Sequence, residues 1–259
     1  MISERDLLSL VLARPAVSLF LDYDGTLAEF APTPEHIEPD REVVELLTRM
    51  TASPRISPTI LSGRSLAAVE ALMPVEGMTL AGSYGVELRT SDGERIERLR
   101  REEVRPFLET LIPMWREVFG GAPGFFLEDK GWSVAIHARL ARAEDADRVL
   151  TSARDLAEAV GIPAGFRLLE DDRFLEAAPR AANKRDGVEF LLRQRGISAL
   201  SLYFGDDDKD IEAFDAIHRD GGLTILVGDR YPAETSGADC SLPDPGSVRA
   251  WLRLMLESM

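Results

Sequence analysis

Asp22-Tyr23-Asp24-Gly25-Thr26-Leu27 directly follows the apolar run Val17-Ser18-Leu19-Phe20-Leu21. A short apolar run closed by a Gly-containing turn is the pattern of a buried strand. A strand projects alternate side chains to the same side, so Asp22 and Asp24 can face one pocket. Two carboxylates that close repel unless a cation or a shared proton relieves them. The stretch therefore asks for a buried strand, a tight turn and a charged crevice at the strand's C-terminal end. Both remedies fit phosphoryl transfer, in which one Asp attacks phosphorus while Mg²⁺ bridges and the other keeps a proton to give away. The plain structural alternative is an Asp-rich turn in which Gly25 supplies a positive φ.

The rest of the chain alternates strand and helix. Glu38 to Met50 reads as a helix, with Val43, Val44, Leu46 and Leu47 on one side. Pro58–Leu61 is a second strand ending in Ser62-Gly63-Arg64, Ser65–Leu72 a helix, and Met78–Ala81 a third strand leading into Gly82-Ser83-Tyr84-Gly85. Later, 185–195 reads as a helix stopped by Gly196, Ser201–Phe204 as a buried strand ending in Gly205-Asp206-Asp207-Asp208, and Ile211–Ile217 as a helix. Leu223–Val227 is a strand and Ser247–Leu256 a final helix. The middle differs. Arg105–Phe119 is helical, Phe125–Glu128 and Trp132–His137 form a hairpin around Asp129-Lys130-Gly131, Ala143–Val160 is a long helix, and Phe166–Leu169 and Phe174–Ala177 are two more strands. The expected class is α/β: a Rossmann-like parallel-sheet core with helices on both faces, formed by 1–103 and 179–259, with an inserted α+β lid at 104–178. In such sheets ligands bind beyond the carboxyl ends of the strands, so Asp22, Asp24, Ser62 and Asp206 are expected around one crevice.

Composition narrows the chemistry. The 259 residues carry a formal net charge of −15, against nucleic acid and anionic membrane as partners. A phosphate-binding site in so acidic a chain needs a metal ion and placed Lys or Arg side chains to reverse the local field. No apolar stretch approaches the roughly 20 residues of a membrane span, and Met1–Asp6 shows no secretory pattern. Cys240 stands alone, so neither a disulfide framework nor a cysteine metal cage is available. These features lead to the expectation of a cytoplasmic protein acting on a small molecule; the oligomeric state is not read from the sequence, and a monomer is the default expectation. His36, His137 and His218 are too scattered for a metal site, the stretch from Asp206 lacks the Gly and Glu of a calcium loop, and no nucleotide P-loop string occurs.

Asp22-x-Asp24-Gly25-Thr26-Leu27, Ser62-Gly63-Arg64, Lys184 and Gly205-Asp206-Asp207-Asp208-Lys209-Asp210 follow the order and contexts of the four motifs of the haloacid dehalogenase-like phosphohydrolases, which the chain resembles. The resemblance implies that Asp22 is the nucleophile and Asp24 the general acid and base. It implies Mg²⁺ held by the Asp22 carboxylate, the Asp24 carbonyl and the Asp206 carboxylate, with Asp207 reaching the ion through water. Ser62, Gly63, Thr26 and Lys184 would bind the phosphoryl group, and Asp210 would hold Lys184 in place. The segment Phe126–Arg139 resembles the Glu-x-Lys…His-x-Arg lid signature of trehalose-6-phosphate phosphatases, and the similarity extends over Gly82–Glu87 and Glu176. By that resemblance Arg64, Glu128, Lys130, Arg139 and Glu176 bind the sugar, and the reaction is trehalose 6-phosphate plus water giving trehalose and phosphate. The chain departs from the family pattern at Tyr84, where His is usual, at Lys209, in the stretch Ala177-Ala178-Pro179-Arg180, and in the Arg185-Asp186-Gly187 that follows Lys184. The residues leave two alternatives open: a phosphatase of another sugar or polyol phosphate, and a catalytically silent sugar-phosphate-binding regulator.

Overall fold

A computed structural model describes residues 1–29, 38–171, 173–194 and 199–259. His36 and the expected helix stop at Gly196 lie outside the described residues. The described chain divides into two compact units, Met1–Ile96 with Asn183–Met259, and Glu97–Ala182. The second unit extends beyond the expected 104–178 at both ends.

In the first unit, α1 (Glu4–Leu12) precedes β1 (Val17–Leu21), followed by α2 (Arg41–Thr51), β2 (Ile56–Leu61), α3 (Leu66–Leu72), β3 (Thr79–Gly82), β4 (Glu87–Arg89) and β5 (Arg95–Glu97). The helix expected from Glu38 starts at Arg41 because the Asp40 side chain accepts from the Glu42 and Val43 N–H groups and caps it there. α4 (Arg101–Phe119), β6 (Phe126–Asp129), β7 (Val134–His137), α5 (Ala143–Val160), β8 (Phe166–Asp171) and β9 (Phe174–Pro179) make up the second unit. The chain then returns through α6 (Lys184–Gln194), β10 (Leu200–Gly205), α7 (Asp208–Arg219), β11 (Leu223–Val227), α8 (Ala233–Ser236), β12 (Cys240–Leu242) and α9 (Pro245–Ser258). None of the described helices is long and apolar enough to cross a membrane.

The first unit's sheet runs β12-β11-β10-β1-β2-β3-β4-β5. Pairing is parallel from β12 to β3, and β4 returns antiparallel on β3. Because β1 is buried along its whole length, its side chains feed both faces. Leu19 and Leu21 pack with Leu46, Leu202 and Trp251 on one face, while Phe20 joins Tyr203, Val188 and Phe214 on the other. From β1 the chain winds outward through β2 and β3, and after the second unit it re-enters at β10 on β1's opposite side. The order therefore reverses between β1 and β10, the point at which open α/β sheets bind ligands.

The second unit has an antiparallel sheet ordered β6-β7-β9-β8 with two long helices. α4 begins earlier than the expected Arg105 and carries Pro106 and Pro113 inside it. Each proline removes one helical hydrogen bond; the buried stripe Val104, Leu108, Leu111 and Trp115 holds the helix regardless. Trp115 Nε1 donates to the Ala153 carbonyl of α5 at 2.8 Å, so this fully buried ring has its polar atom satisfied.

Candidate active site

β1 leads straight into the site. Asp22 N–H still donates to the Phe204 carbonyl of β10 at 3.1 Å, so the carboxylate leaves from a fixed strand end. The chain then turns tightly, with the Leu27 and Ala28 N–H groups both on the Tyr23 carbonyl. Gly25 is required here twice over. Its φ is +84°, and a Cβ on it would lie 2.4 Å from Asp206 Oδ2. The missing side chain lets Asp206, leaving the neighbouring strand β10, close against the Asp22 turn. Thr26 is fully buried and donates its hydroxyl to Asp206 Oδ1 at 3.1 Å, a task the sequence reading did not assign to it.

Lys184, the first residue of α6, reaches into the same place. Its Nζ lies 2.7 Å from Asp22 Oδ1 and 2.6 Å from Asp210 Oδ1. Asp210 is held in turn by the Tyr203 hydroxyl at 2.6 Å and by the N–H groups of Asp206 and Asp207 at 3.1 and 3.2 Å. Gly205 makes room for it, since a Cβ there would meet the Asp210 carboxyl carbon at 2.2 Å. Asp207 caps α7: its side chain accepts from Asp210 N–H at 3.0 Å while Asp210 answers on the Asp207 N–H, a reciprocal capping box. Its other oxygen receives Lys209 Nζ at 3.3 Å. Asp207 is thereby tied to the helix start and to Lys209.

The charges are out of balance. Burial pushes the Asp22 carboxyl up to about 8, against the pull of Lys184 and with the help of Asp206 and Asp207. Burial pushes Asp206 up to about 7, with Asp210 and Asp207 adding to the effect. Burial acts to lower the Lys184 ammonium, but Asp210 and Asp22 outweigh it and hold the group well above the ordinary lysine value. For Asp207, burial raises the carboxyl, yet Lys184, Lys209 and the Asp210 contacts outweigh it and keep it below the ordinary carboxylate range. One ammonium thus serves several buried carboxylates. Asp22, Asp206 and Asp210 present oxygens that all lie within 4.8 Å of one another, the spacing of a cation cluster. Asp210's oxygens already receive four donors, so Asp22 and Asp206 are the better placed to take an ion.

Asp24, two residues past Asp22 and less buried, pairs with Arg64, Nε to Oδ2 at 2.6 Å and Nη2 to Oδ1 at 2.7 Å. Ser62 directly follows β2 and is buried, with its N–H on the Ala81 carbonyl and its Oγ accepting from Arg64 N–H at 3.2 Å. Next to it, Ser83 and Tyr84 have φ of +50° and +58°, a conformation costing about 1–2 kcal/mol per non-glycine residue. Glu87 secures this segment, accepting from Ser83 Oγ at 3.0 Å and from Leu66 N–H at 2.7 Å.

A second polar constellation lies within the other unit. The strand register sets Glu128 opposite Ala135 and Ala135 opposite Glu176, so the two acids share one face of that sheet. Glu176 is fully buried and accepts from Lys130 Nζ at 2.9 Å and from Ser133 Oγ at 2.5 Å, both on Oε1. Glu128 Oε2 meets His137 Nε2 at 2.9 Å. Arg139 lies just past the end of β7 and is exposed. Glu128, Lys130 and Glu176, separated by up to 48 positions, therefore belong to one patch.

Three supporting residues escaped the sequence reading. The place of Tyr203 in the apolar run Ser201–Phe204 gives no sign that its hydroxyl meets Asp210. Ser133 stood inside the lid segment without a role, and Glu87 inside the Gly82–Glu87 stretch likewise. Only alternation offered a signal: Ser133 shares its strand parity with Ala135, the residue between the two acids.

Comparison with known proteins adds an independent line. The trehalose-phosphatase family model matches residues 20–245. Trehalose-phosphate phosphatase of Mycobacterium marinum is 32% identical over 234 residues, covering 86% of this chain and 58% of that protein. The chain thus spans about three fifths of the length of that relative. Among solved structures, the C-terminal domain of C. albicans trehalose-6-phosphate phosphatase aligns with a TM-score of 0.85 at 20% identity, covering 98% of this chain and 96% of the other. A haloacid dehalogenase-like hydrolase from Bacteroides thetaiotaomicron aligns with a TM-score of 0.63 at 14% identity, covering 93% and 99%. These two share the fold. With the matched span running from β1 to the start of α9, the chain belongs to the trehalose-phosphatase family.

Proposed function

We propose that this protein is a Mg²⁺-dependent phosphatase that hydrolyses trehalose 6-phosphate to trehalose and phosphate through an aspartyl-phosphate on Asp22. The observation that carries the reading is the meeting of Asp22, Lys184 and Asp206 at the strand-order reversal, with Lys184 Nζ 2.7 Å from the Asp22 oxygen.

The donor set fits magnesium. Asp22 and Asp206 offer hard oxygens at cation-cluster spacing, and burial, with neighbouring carboxylates adding to it, raises the pKa of both. The Asp24 carbonyl would complete the protein ligands, with Asp207 at the edge. A bound ion would neutralise the phosphoryl oxygens and keep both carboxylates ionised.

The chain's own groups perform the transfer. Lys184 neutralises Asp22 and then the equatorial oxygens of the transferring group. Ser62 Oγ and the Gly63 N–H hold those oxygens from the side of β2. An Asp22 oxygen attacks phosphorus as the bond from phosphorus to the sugar O6 breaks, and Asp24, once one of its oxygens has left the Arg64 fork and taken a proton from water, delivers that proton to O6. In the second step Asp24 removes a proton from water, the water oxygen attacks phosphorus, and the bond to Asp22 breaks, releasing phosphate. Arg64 positions Asp24. Glu128, Lys130, Arg139 and Glu176 are assigned to the sugar hydroxyls. A carboxylate face with an ammonium on it suits a polyhydroxylated ligand.

The test is phosphate release from a panel of sugar phosphates with Mg²⁺ and with chelator. Trehalose 6-phosphate should be turned over best, and only with metal. Preference for another sugar phosphate overturns the substrate assignment, and no release from any ester overturns the enzyme reading.

A further inference from the structure

Tyr84 occupies a position that two glycines keep open. A Cβ on Gly63, in the turn after β2, would lie 2.7 Å from Tyr84 Cε1, 2.8 Å from Cζ and 3.0 Å from Oη. A Cβ on Gly187, one turn into the helix headed by Lys184, would lie 2.9 Å from the Tyr84 carbonyl oxygen. Tyr84 N–H donates to the Ser62 carbonyl at 2.9 Å, and the preceding Ser83 N–H donates to the Arg64 carbonyl at 2.6 Å. The residue is buried, and both Ser83 and Tyr84 hold positive φ without being glycine. Strained backbone of this kind persists only where surrounding structure over-determines it, and it gathers at functional sites.

We propose that Tyr84 is a positioning residue, a wedge between the Ser62-Gly63-Arg64 turn and the helix that carries Lys184. Its ring fills the space a Gly63 side chain would take, its N–H anchors the Ser62 end of the turn, and the Ser83 N–H anchors the Arg64 end. Together they set how far the Ser62 hydroxyl and the Gly63 N–H stand from the ammonium of Lys184. Those groups must grip one phosphoryl group from two sides, so the spacing that Tyr84 fixes determines whether they act on the same oxygens. The ring supplies this contact, since its Cε1 and Cζ stand nearest the place of a Gly63 side chain. This inference rests on the assignment of these residues to phosphate.

A double-mutant cycle reads it. Tyr84→Ala and Gly63→Ala should each weaken binding of inorganic phosphate and lower kcat by about tenfold or more, the scale of a sub-ångström to one-ångström misplacement. Tyr84→Phe should stay near wild type. The double variant should be no worse than Tyr84→Ala alone, because the clash disappears with the ring. Far-UV circular dichroism and Tm establish that each variant is folded; if Tyr84→Ala is not, Tyr84→Leu takes its place. Effects that multiply in the double variant, or Tyr84→Ala with wild-type phosphate affinity and kcat, overturn the proposal. Phosphate affinity, read by calorimetry with Mg²⁺ present, keeps the cycle informative if the wild type hydrolyses no ester, an outcome that counts against the proposed reaction instead.

Discussion

Arg64 grips both carboxylate oxygens of Asp24, at 2.6 and 2.7 Å, in a pair that is largely buried. A guanidinium offers parallel donors in a fixed plane, so this contact sets the orientation of the carboxylate as well as neutralising it. Asp24→Asn should lower kcat for trehalose 6-phosphate by about 10²–10⁴-fold, the usual worth of a general acid. It should cost much less for an aryl phosphate, whose leaving oxygen needs no proton. Arg64→Lys keeps the charge and loses the fork; a smaller loss with the same leaving-group dependence is expected. Equal losses on both esters would remove Asp24 from the acid role.

Asp22→Asn should abolish turnover while leaving secondary structure intact, since Lys184 keeps its contact with Asp210. Near-normal steady-state kinetics would end the nucleophile assignment. Lys184→Met should do more harm to stability. It strands Asp22 and Asp210 without their shared cation, and breaking a buried pair in this way costs about 3–5 kcal/mol. Urea unfolding at neutral pH checks it.

Metal and pH are linked with a definite sign. The folded pKa of Asp22 is raised from 3.8 to about 8 and that of Asp206 from 3.8 to about 7. Each carboxyl therefore binds an extra proton in the folded state. The resulting stabilisation is complete below the unfolded value and is lost as pH rises through 7 to 8. Metal-free protein should lose Tm between pH 5 and 8 on this account. Mg²⁺ must displace the same protons, so its apparent affinity should rise by about tenfold per pH unit for each proton released. Thermal scans with and without Mg²⁺ at pH 6 and pH 8 would show a larger metal-induced shift at the higher pH; a pH-independent shift would rule out Asp22 and Asp206 as the ligands.

Glu128→Ala and Lys130→Ala should raise KM for trehalose 6-phosphate by about tenfold or more, the value of a hydrogen bond to a charged group. A small phosphate ester should be nearly unaffected. Lys130→Ala also takes a charged donor away from buried Glu176, so its Tm should fall further than that of Glu128→Ala. Matching changes on both substrates would show that this sheet face does not read the sugar.

Much of this protein was legible in the chain itself. The apolar run Val17–Leu21 had to be a buried strand, and the carboxylates after it had to stand at its end, because the side-chain period of a strand is local. The α/β alternation and the α+β insert followed from the same periodicities, and the helix Ala143–Val160 and the strand Leu223–Val227 carry the expected limits. Short, weakly patterned elements were not legible: α1, β4, β5, α8 and β12 carry too few residues or too mixed a pattern to be told from loops. Only the tertiary structure decided the partners. That Thr26 serves Asp206, that Tyr203 steadies Asp210, and that Arg64 holds Asp24 depend on which strands become neighbours. Strand order arises from long-range packing, and a hydrogen bond between residues 180 positions apart leaves no periodic trace in either segment.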